Sequence, residues 1–393
     1  MKDFIYEGTV PVIYGTSQLT TVIDKLQEFG SRILIVPAPS FIKSGHFDTL
    51  HQTLLDAGMT VFCLDNIKGP MLSKANEGIA LCLKENIQAV IGIGGGVCLD
   101  LAKTIAFGAV NPEQPLEKYL TYELSTAGLS HLPVVTIPTN PMSGSETNAD
   151  VQLTFDENGM QVGCAMCHAA FTWLNPEYAL SLPKSVLTYG QMTAFAQLSS
   201  NYLNVYRSPL AEHYAGASMK TVLECLRISL AEPTNTDAIG TLMLNSALSL
   251  SGINDLGRDI EFIPYPLQSF AQRYIGLSYP HAMTILFPYW MKVIYRSADD
   301  KAIFKRYFEE ILGIPTADKD DETCLQEALH ALFELYREFG IATRYDELAA
   351  NPNNHEELLS IIQSFGPMPS QYIDAAPETL ADIIEDAITG NLA

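Results

Sequence analysis

Residues 89–103 constrain this chain more than any other stretch. The apolar run Ala89-Val90-Ile91-Gly92-Ile93 leads straight into Gly94-Gly95-Gly96, and Val97-Cys98-Leu99-Asp100-Leu101-Ala102-Lys103 follows with helical spacing. An apolar run without polar alternation fits a strand buried on both faces of a parallel sheet. Glycines lack Cβ atoms, so they let the backbone bend sharply and approach a ligand closely. The first N–H groups of the next helix have no intrahelical acceptor and favour an anion. A pyrophosphate is one occupant of such a turn. A tight connection with no ligand is the other reading, and the glycines alone do not separate them.

The surrounding sequence repeats the same alternation. Strand-like runs at 32–37, 60–64, 89–93 and 133–138 are separated by helical spacing at 47–57 and 73–85, where Ser73 reads as an N-cap. Strands alternating with helices mean βαβ units and a mostly parallel sheet. After Leu182-Pro183-Lys184 nearly everything reads as helix: 186–203, 210–231, 236–253, about 265–275, 281–294, 302–312, 324–339, 354–364 and 377–389. The expected organisation is an N-terminal Rossmann-like α/β domain over 1–182 and an all-helical domain over 183–393.

Composition narrows the function classes. With 23 basic and 45 acidic side chains the formal charge is −22, which argues against nucleic acid or an anionic membrane surface, both of which need a basic footprint. No apolar run approaches the roughly 20 residues of a spanning helix. The opening Met-Lys-Asp-Phe-Ile-Tyr-Glu-Gly lacks a long apolar core, against a secretory signal. Seven thinly spread cysteines fit free thiols in a reducing cytoplasm better than a disulfide framework.

A second loop strengthens the ligand reading. Thr136-Ile137-Pro138-Thr139-Asn140-Pro141-Met142-Ser143-Gly144-Ser145-Glu146 is a strand end followed by a hydroxyl-rich segment. Two such loops after parallel strands would line one crevice at the carboxyl edge of a sheet. The combination Gly94-Gly95-Gly96-x-x-x-Asp100-x-x-Lys103 with Thr139-x-x-x-x-Gly144-Ser145-Glu146 resembles the iron-containing (group III) alcohol dehydrogenase family, in particular its butanol dehydrogenase and NADPH-dependent aldehyde reductase branch. The likeness runs over essentially the whole chain, from Ile13-Tyr14-Gly15 into the helical half. It implies a dehydroquinate synthase-like architecture, a nicotinamide dinucleotide, a cleft between two domains and a divalent metal holding the alcohol oxygen. It also implies a small alcohol or aldehyde substrate, a homodimer or larger assembly and a cytoplasmic location.

By that resemblance Gly94, Gly95, Gly96 and Asp100 would sit at the cofactor's phosphates, with Thr136, Thr139 and Ser143 along it. Val97 replaces a family serine and cannot donate to phosphate, which puts about 1 kcal/mol of affinity at risk. After the first long strand no acid is present to hold a ribose 2′-hydroxyl. Ser40 and Lys43 could meet a 2′-phosphate, which favours NADP over NAD. Pro37 and Pro39 stiffen this turn and would either shape or obstruct the adenosine end.

The metal site departs further. The resemblance implies an aspartate and a histidine four residues apart on one helical face. The frame set by Gly190, Ala194-Phe195 and Tyr202 puts Thr193 and Gln197 there, with Ser200 replacing a family glutamate. His281 matches the second of two further histidines; the first falls on Leu267, an auxiliary histidine on Ala271, and no histidine occurs between 214 and 280. Met160 stands where the branch often has a lysine. One imidazole, a hydroxyl and a neutral amide are poor company for Fe²⁺ or Zn²⁺, which take about three nitrogen, sulfur or carboxylate ligands. No metal is therefore expected, iron or zinc if any. In a helix over 267–275, Leu267, Phe270, Ala271 and Tyr274 share a face that would point into the cleft. Without a metal, His281, Tyr274 or Tyr265 would have to donate to the substrate oxygen, a general-acid contribution of ~10²–10⁴-fold.

Other signals carry less. Cys164-Ala165-Met166-Cys167-His168 matches a haem-attachment string, but covalent attachment belongs to exported proteins, and a probable strand would point its two thiols to opposite faces. Lys103 reads equally as a phosphate partner or a surface charge. The reading is an NAD(P)-dependent oxidoreductase of small alcohols and aldehydes with metal-dependent activity weak or lost. The alternatives are a non-catalytic nucleotide- or small-molecule-binding relative, or a metal-free enzyme of different chemistry.

Overall fold

The computed structural model describes residues 2, 10–249, 251–348, 354–366 and 368–392; most of the opening segment read for a secretory signal lies outside them. The α/β part runs β1 (Val12–Tyr14), α1 (Leu19–Phe29), β2 (Arg32–Pro37), α2 (Pro39–Lys43), α3 (His46–Asp56), β3 (Thr60–Cys63), α4 (Leu72–Glu85), β4 (Ala89–Gly94), α5 (Gly96–Val110), α6 (Leu116–Leu120), β5 (Val134–Pro138), β6 (Asp150–Thr154), β7 (Gln161–Ala165) and β8 (Phe171–Leu174). Then come α7 (Lys184–Tyr202), α8 (Pro209–Ala231), α9 (Thr236–Ser249), α10 (Pro264–Ile275), α11 (Tyr279–Ser297), α12 (Ala302–Glu310), α13 (Asp321–Phe339), α14 (His355–Gln363) and α15 (Pro377–Thr389).

Six strands form one parallel sheet in the order β1-β8-β5-β4-β2-β3, and β6 and β7 make a separate antiparallel hairpin. Alternation along β2 explains why the sheet is covered on both sides. Leu34 and Val36 join a core with Val90, Ile105 and Val134, while Ile33 and Ile35 join another with Ile91, Ile93 and Val135. Each fully buried aliphatic side chain contributes roughly 1.5–3 kcal/mol, so a one-residue slip of a central strand would exchange both cores at once. Two details differ from the sequence reading. Helix α4 starts at Leu72 after Met71. Ser73 therefore lies inside the helix, its N–H and Oγ both donating to Asp156. The short β1, β6 and β8 carried no strong periodicity and are additions, while β7 overlaps the strand read at the two thiols.

The chain forms two compact units that are not contiguous in sequence: residues 7–182 with 225–252, and residues 1–6, 183–224 and 253–393. A simple division at 182/183 thus leaves out one exchange, because α9 packs with β8 and the turn over Pro176–Ala179. Its Gly240 explains the fit. A Cβ there would stand 2.0 Å from the Tyr14 hydroxyl and 2.9 Å from Pro176, so only glycine lets α9 lie against that sheet edge.

In the helical unit, α7 is buried at every position from Leu187 to Tyr202, although that stretch includes Gln191, Thr193, Gln197, Ser199, Ser200 and Asn201. Buried hydroxyls need partners, and α7 supplies several from its own backbone. Ser199 Oγ donates to Phe195 O and Ser200 Oγ to Ala196 O, at 2.8 and 2.9 Å. Helix α11 packs against α7, α10, α13 and α15. Among the described residues no helix is long and apolar enough to cross a membrane.

Candidate functional site

In the α/β unit, the carboxyl ends of three adjacent strands are tied together. Ala38 N–H donates to Ile93 O at 2.7 Å and Thr139 N–H to Gly94 O at 2.9 Å. The expected glycine turn lies between them. Gly94 has φ +151°, and a Cβ on it would stand 2.8 Å from Ala38 Cβ and 2.9 Å from Cys98 Sγ, so the position admits only glycine. Helix α5 begins at once, with no side chain capping it. The Gly96 and Val97 N–H groups, first in the helix, therefore lack intrahelical acceptors. The second loop lies against the same turn: a Cβ on Gly95 would be 3.0 Å from Asn140 Nδ2, and one on Gly96 3.1 Å from Ser143 Cβ. Uncapped N–H groups beside a glycine turn fit the phosphates of a dinucleotide. Val97, partly exposed at the helix start, offers only its backbone.

The other expected cofactor residues divide. Ser40 and Lys43 are exposed on α2, whose first residue is Pro39, while Pro37 ends β2 inside the sheet. Thr136 is fully buried in β5 and its hydroxyl donates to Glu146 O at 3.3 Å. Asp100 accepts from Ser145 Oγ at 2.5 Å and from Gln152 N–H at 3.0 Å, so both carboxylate oxygens hold the chain's own 143–152 segment instead of meeting phosphate. Thr139 contributes its backbone, and Ser143 Oγ lies 3.4 Å from Glu146 Oε2.

Lys103 is neither a surface charge nor a phosphate partner. It is fully buried, and its Nζ donates to Ser145 O, Asn148 O, Asn148 Oδ1 and Asp150 O at 3.0, 3.3, 3.2 and 2.5 Å. Burial pulls its pKa down while Asp100, 3.8 Å away, opposes that shift. Glu146, 1% exposed, is the group the sequence reading missed; burial pushes its carboxyl up to about 7 against the opposing pull of Lys103 and the Ser143 hydrogen bond. Its signal was its place at the end of the Gly-Ser-Glu motif. Lys103, Asp100, Ser145 and Glu146 thus form a buried polar frame beneath the hydroxyl loop. The haem string finds no support: β7 ends at Ala165, so Cys167 lies beyond the strand, and burial pushes the Cys164 and Cys167 thiols up to about 11 and about 12.

The helical unit brings together three of the four expected metal positions. On α7, Thr193 Oγ donates to Tyr189 O at 2.8 Å or to Pro280 O at 3.2 Å and lies 3.1 Å from Thr284 Oγ. One turn on, Gln197 Nε2 donates to the Tyr279 hydroxyl at 2.8 Å. His281, partly exposed, stacks on Tyr189 with ring centroids 4.0 Å apart, and its Nδ1 lies 2.6 Å from Ser278 Oγ. Burial holds its imidazole below the usual histidine range and pushes the Tyr279 phenol up to about 12.

Leu267, the fourth position, lies on α10, which packs against α11. Leu267, Phe270, Ala271 and Tyr274 are 0, 0, 0 and 7% exposed. This α10 stripe is buried, and Phe270 meets Phe365 edge-on at 4.8 Å. The Tyr274 hydroxyl accepts the Asn354 N–H at 2.7 Å and does not join the His281 cluster. Among the described residues no three or more His, Cys, Asp or Glu side chains form a metal-holding group. A hydroxyl, an amide and one imidazole do not fit a catalytic Fe²⁺ or Zn²⁺ site.

Comparison with known proteins gives one answer along the chain. Residues 10–176 match the profile of iron-containing alcohol dehydrogenase, and residues 188–388 that of the Fe-containing alcohol dehydrogenase family C-terminal region. The chain is 25% identical over 367 residues to a probable NADH-dependent butanol dehydrogenase 2 of Bacillus subtilis, with 92% of each covered. It is 22% identical over 374 residues to the NADPH-dependent aldehyde reductase YqhD of Escherichia coli, covering 93% of this chain and 94% of that one. The crystal structure of NADH-dependent butanol dehydrogenase A from Thermotoga maritima shares its fold with TM-score 0.90 at 19% identity, over 99% of both chains. With the glycine turn and hydroxyl loop in one half and the family's helical C-terminal region in the other, the chain belongs to the iron-containing alcohol dehydrogenase family of oxidoreductases.

Proposed function

We propose that this protein is an NADP-preferring oxidoreductase of small aldehydes and alcohols that works without the family's transition metal. The observation that carries it is the contrast at the site residues: the uncapped N–H groups of Gly96 and Val97 remain beside a glycine turn, whereas the ligand positions Thr193 and Gln197 are hydrogen-bonded to α11 and carry no anionic donor. Gly94, Gly95 and Gly96 would cradle the phosphates, with Thr139 and Ser143 along the cofactor and Asp100, Lys103 and Thr136 holding the loop that lines it. Ser40 and Lys43 support the preference for a 2′-phosphate. When bound, the reduced nicotinamide supplies hydride. His281, neutral and with Nδ1 turned to Ser278, leaves Nε2 for the substrate oxygen. A metal contributes several kcal/mol of charge stabilisation, so turnover of simple alcohols should be slow. The family resemblance further supports a homodimer or larger assembly, and the free thiols a reducing cytoplasm.

Thermal melts with NADPH, NADP and NADH test this reading. Ligand at about 100 times its Kd should stabilise by ~2.7 kcal/mol, most with NADPH. No shift with any of the three overturns it. Stoichiometric iron or zinc retained after purification and required for butanal reduction would overturn its metal-free part.

A further inference from the structure

The contact between Gln197 and Tyr279 has a direction. An amide N–H only donates, so the phenol oxygen is the acceptor at 2.8 Å and its own O–H points elsewhere. Among the described residues that O–H has no acceptor. Gln197 is 6% exposed and fixed within α7, whereas the Tyr279 side chain stays partly accessible at the first position of α11, two residues before His281. Thr193 joins α7 to the same segment through Pro280 and Thr284. The residues standing at the family's ligand positions therefore hold a tyrosine in place, with its proton unused.

We propose that Tyr279 donates the proton to the oxygen of the carbonyl substrate, beside the hydrogen bond from His281 Nε2, with Gln197 as its positioning residue. This rests on the reading of the chain as a nicotinamide-dependent oxidoreductase. In the reduction, the carbonyl carbon gains a C–H bond by accepting hydride from the reduced nicotinamide, which is oxidised in that step. The carbonyl π bond breaks, the oxygen takes the phenol proton, and the resulting phenolate is reprotonated from water. An alkoxide is a far stronger base than a phenolate, so the transfer runs downhill. The Gln197 N–H then faces the developing phenolate, a charge-assisted hydrogen bond stronger than the neutral one. A donor already aimed at the oxygen needs little reorganisation as charge develops there.

The test uses the full-length chain treated with chelator, with NADPH and butanal as substrates. Butyramide, a carbonyl that cannot be reduced, serves as a binding probe at saturating NADPH. Tyr279→Phe should lower kcat ~10²-fold or more, and weaken butyramide binding, and with it raise the butanal KM, about 5- to 10-fold. Tyr279→Phe leaves the Gln197 amide without its acceptor, so Tyr279→Phe/Gln197→Met removes both partners. This double variant should melt and bind NADPH like the wild type, yet show the same loss of kcat and of butyramide affinity. Wild-type kcat or butyramide affinity in either variant overturns the proposal while the oxidoreductase reading stands. A wild-type chain that neither binds NADPH nor reduces butanal overturns both.

Discussion

The glycine turn of the α/β unit and the α7–α11 contact of the helical unit kept different parts of one inheritance. At the turn, the proposed cofactor binding would rely on backbone: a Gly94 that excludes any side chain, uncapped N–H groups at α5, and a buried frame of Lys103, Asp100 and Glu146 holding the facing loop. Such a site would tolerate Val97 in place of the family's serine, because most of its donors are not side chains. At α7–α11 a bound metal would depend on the ligand side chains themselves, and Thr193 and Gln197 offer it no charged donor. The scaffold can persist there because Thr193 and Gln197 cross-link the same helices by hydrogen bonds. A site made of backbone degrades gradually, whereas one made of ligands is lost in a few substitutions.

The most severe way to break this comparison is Lys103→Met. It leaves three carbonyls and an amide oxygen without their shared donor and Asp100 without its cation, and should destabilise by about 3–5 kcal/mol. Chemical denaturation measures it, and NADPH binding should weaken in parallel; an unchanged midpoint would mean the frame supports nothing.

Next is Glu146→Gln. A carboxyl raised from 4.5 to about 7 by burial contributes stability that is complete below pH 4.5 and lost as pH rises through about 7, at most about 3 kcal/mol. Melts across pH 4–8 should show that loss in the wild type and a smaller one in the variant.

Restoring ligands tests the other region. Thr193→Asp/Gln197→His adds a carboxylate and an imidazole beside His281, and should convert a chain that retains no zinc into one that holds about one equivalent. The accompanying thermal stabilisation at 100 times Kd is ~2.7 kcal/mol, measured by metal content and melting.

The smallest effect concerns His281. Its lowered pKa means stability is complete above the unfolded value near 6.5 and falls as pH drops below it, by less than about 1.4 kcal/mol per pH unit. His281→Gln should flatten that part of the profile.

How much of this was legible beforehand follows from the kind of interaction involved. The central strands and α15 fall where periodicity put them, because that signal is local. The three-residue β1 and the four-residue β8 are too short to show a period. For α10 the spacing shows that Leu267, Phe270, Ala271 and Tyr274 lie together, but what such a stripe meets depends on α11, α14 and α15 around it.

Composition and local pattern alone determined the parallel α/β sheet, and the glycine turn and its place before a helix. These follow from bond geometry and side-chain periodicity, each readable within a few residues. Tertiary structure alone decided that Lys103 is interior, that α9 packs with the sheet, that Tyr274 is engaged by Asn354, and that Gln197 holds Tyr279. Each of these depends on groups 40 or more residues apart in sequence, and an isolated side chain carries no mark of the partner that folding will bring to it.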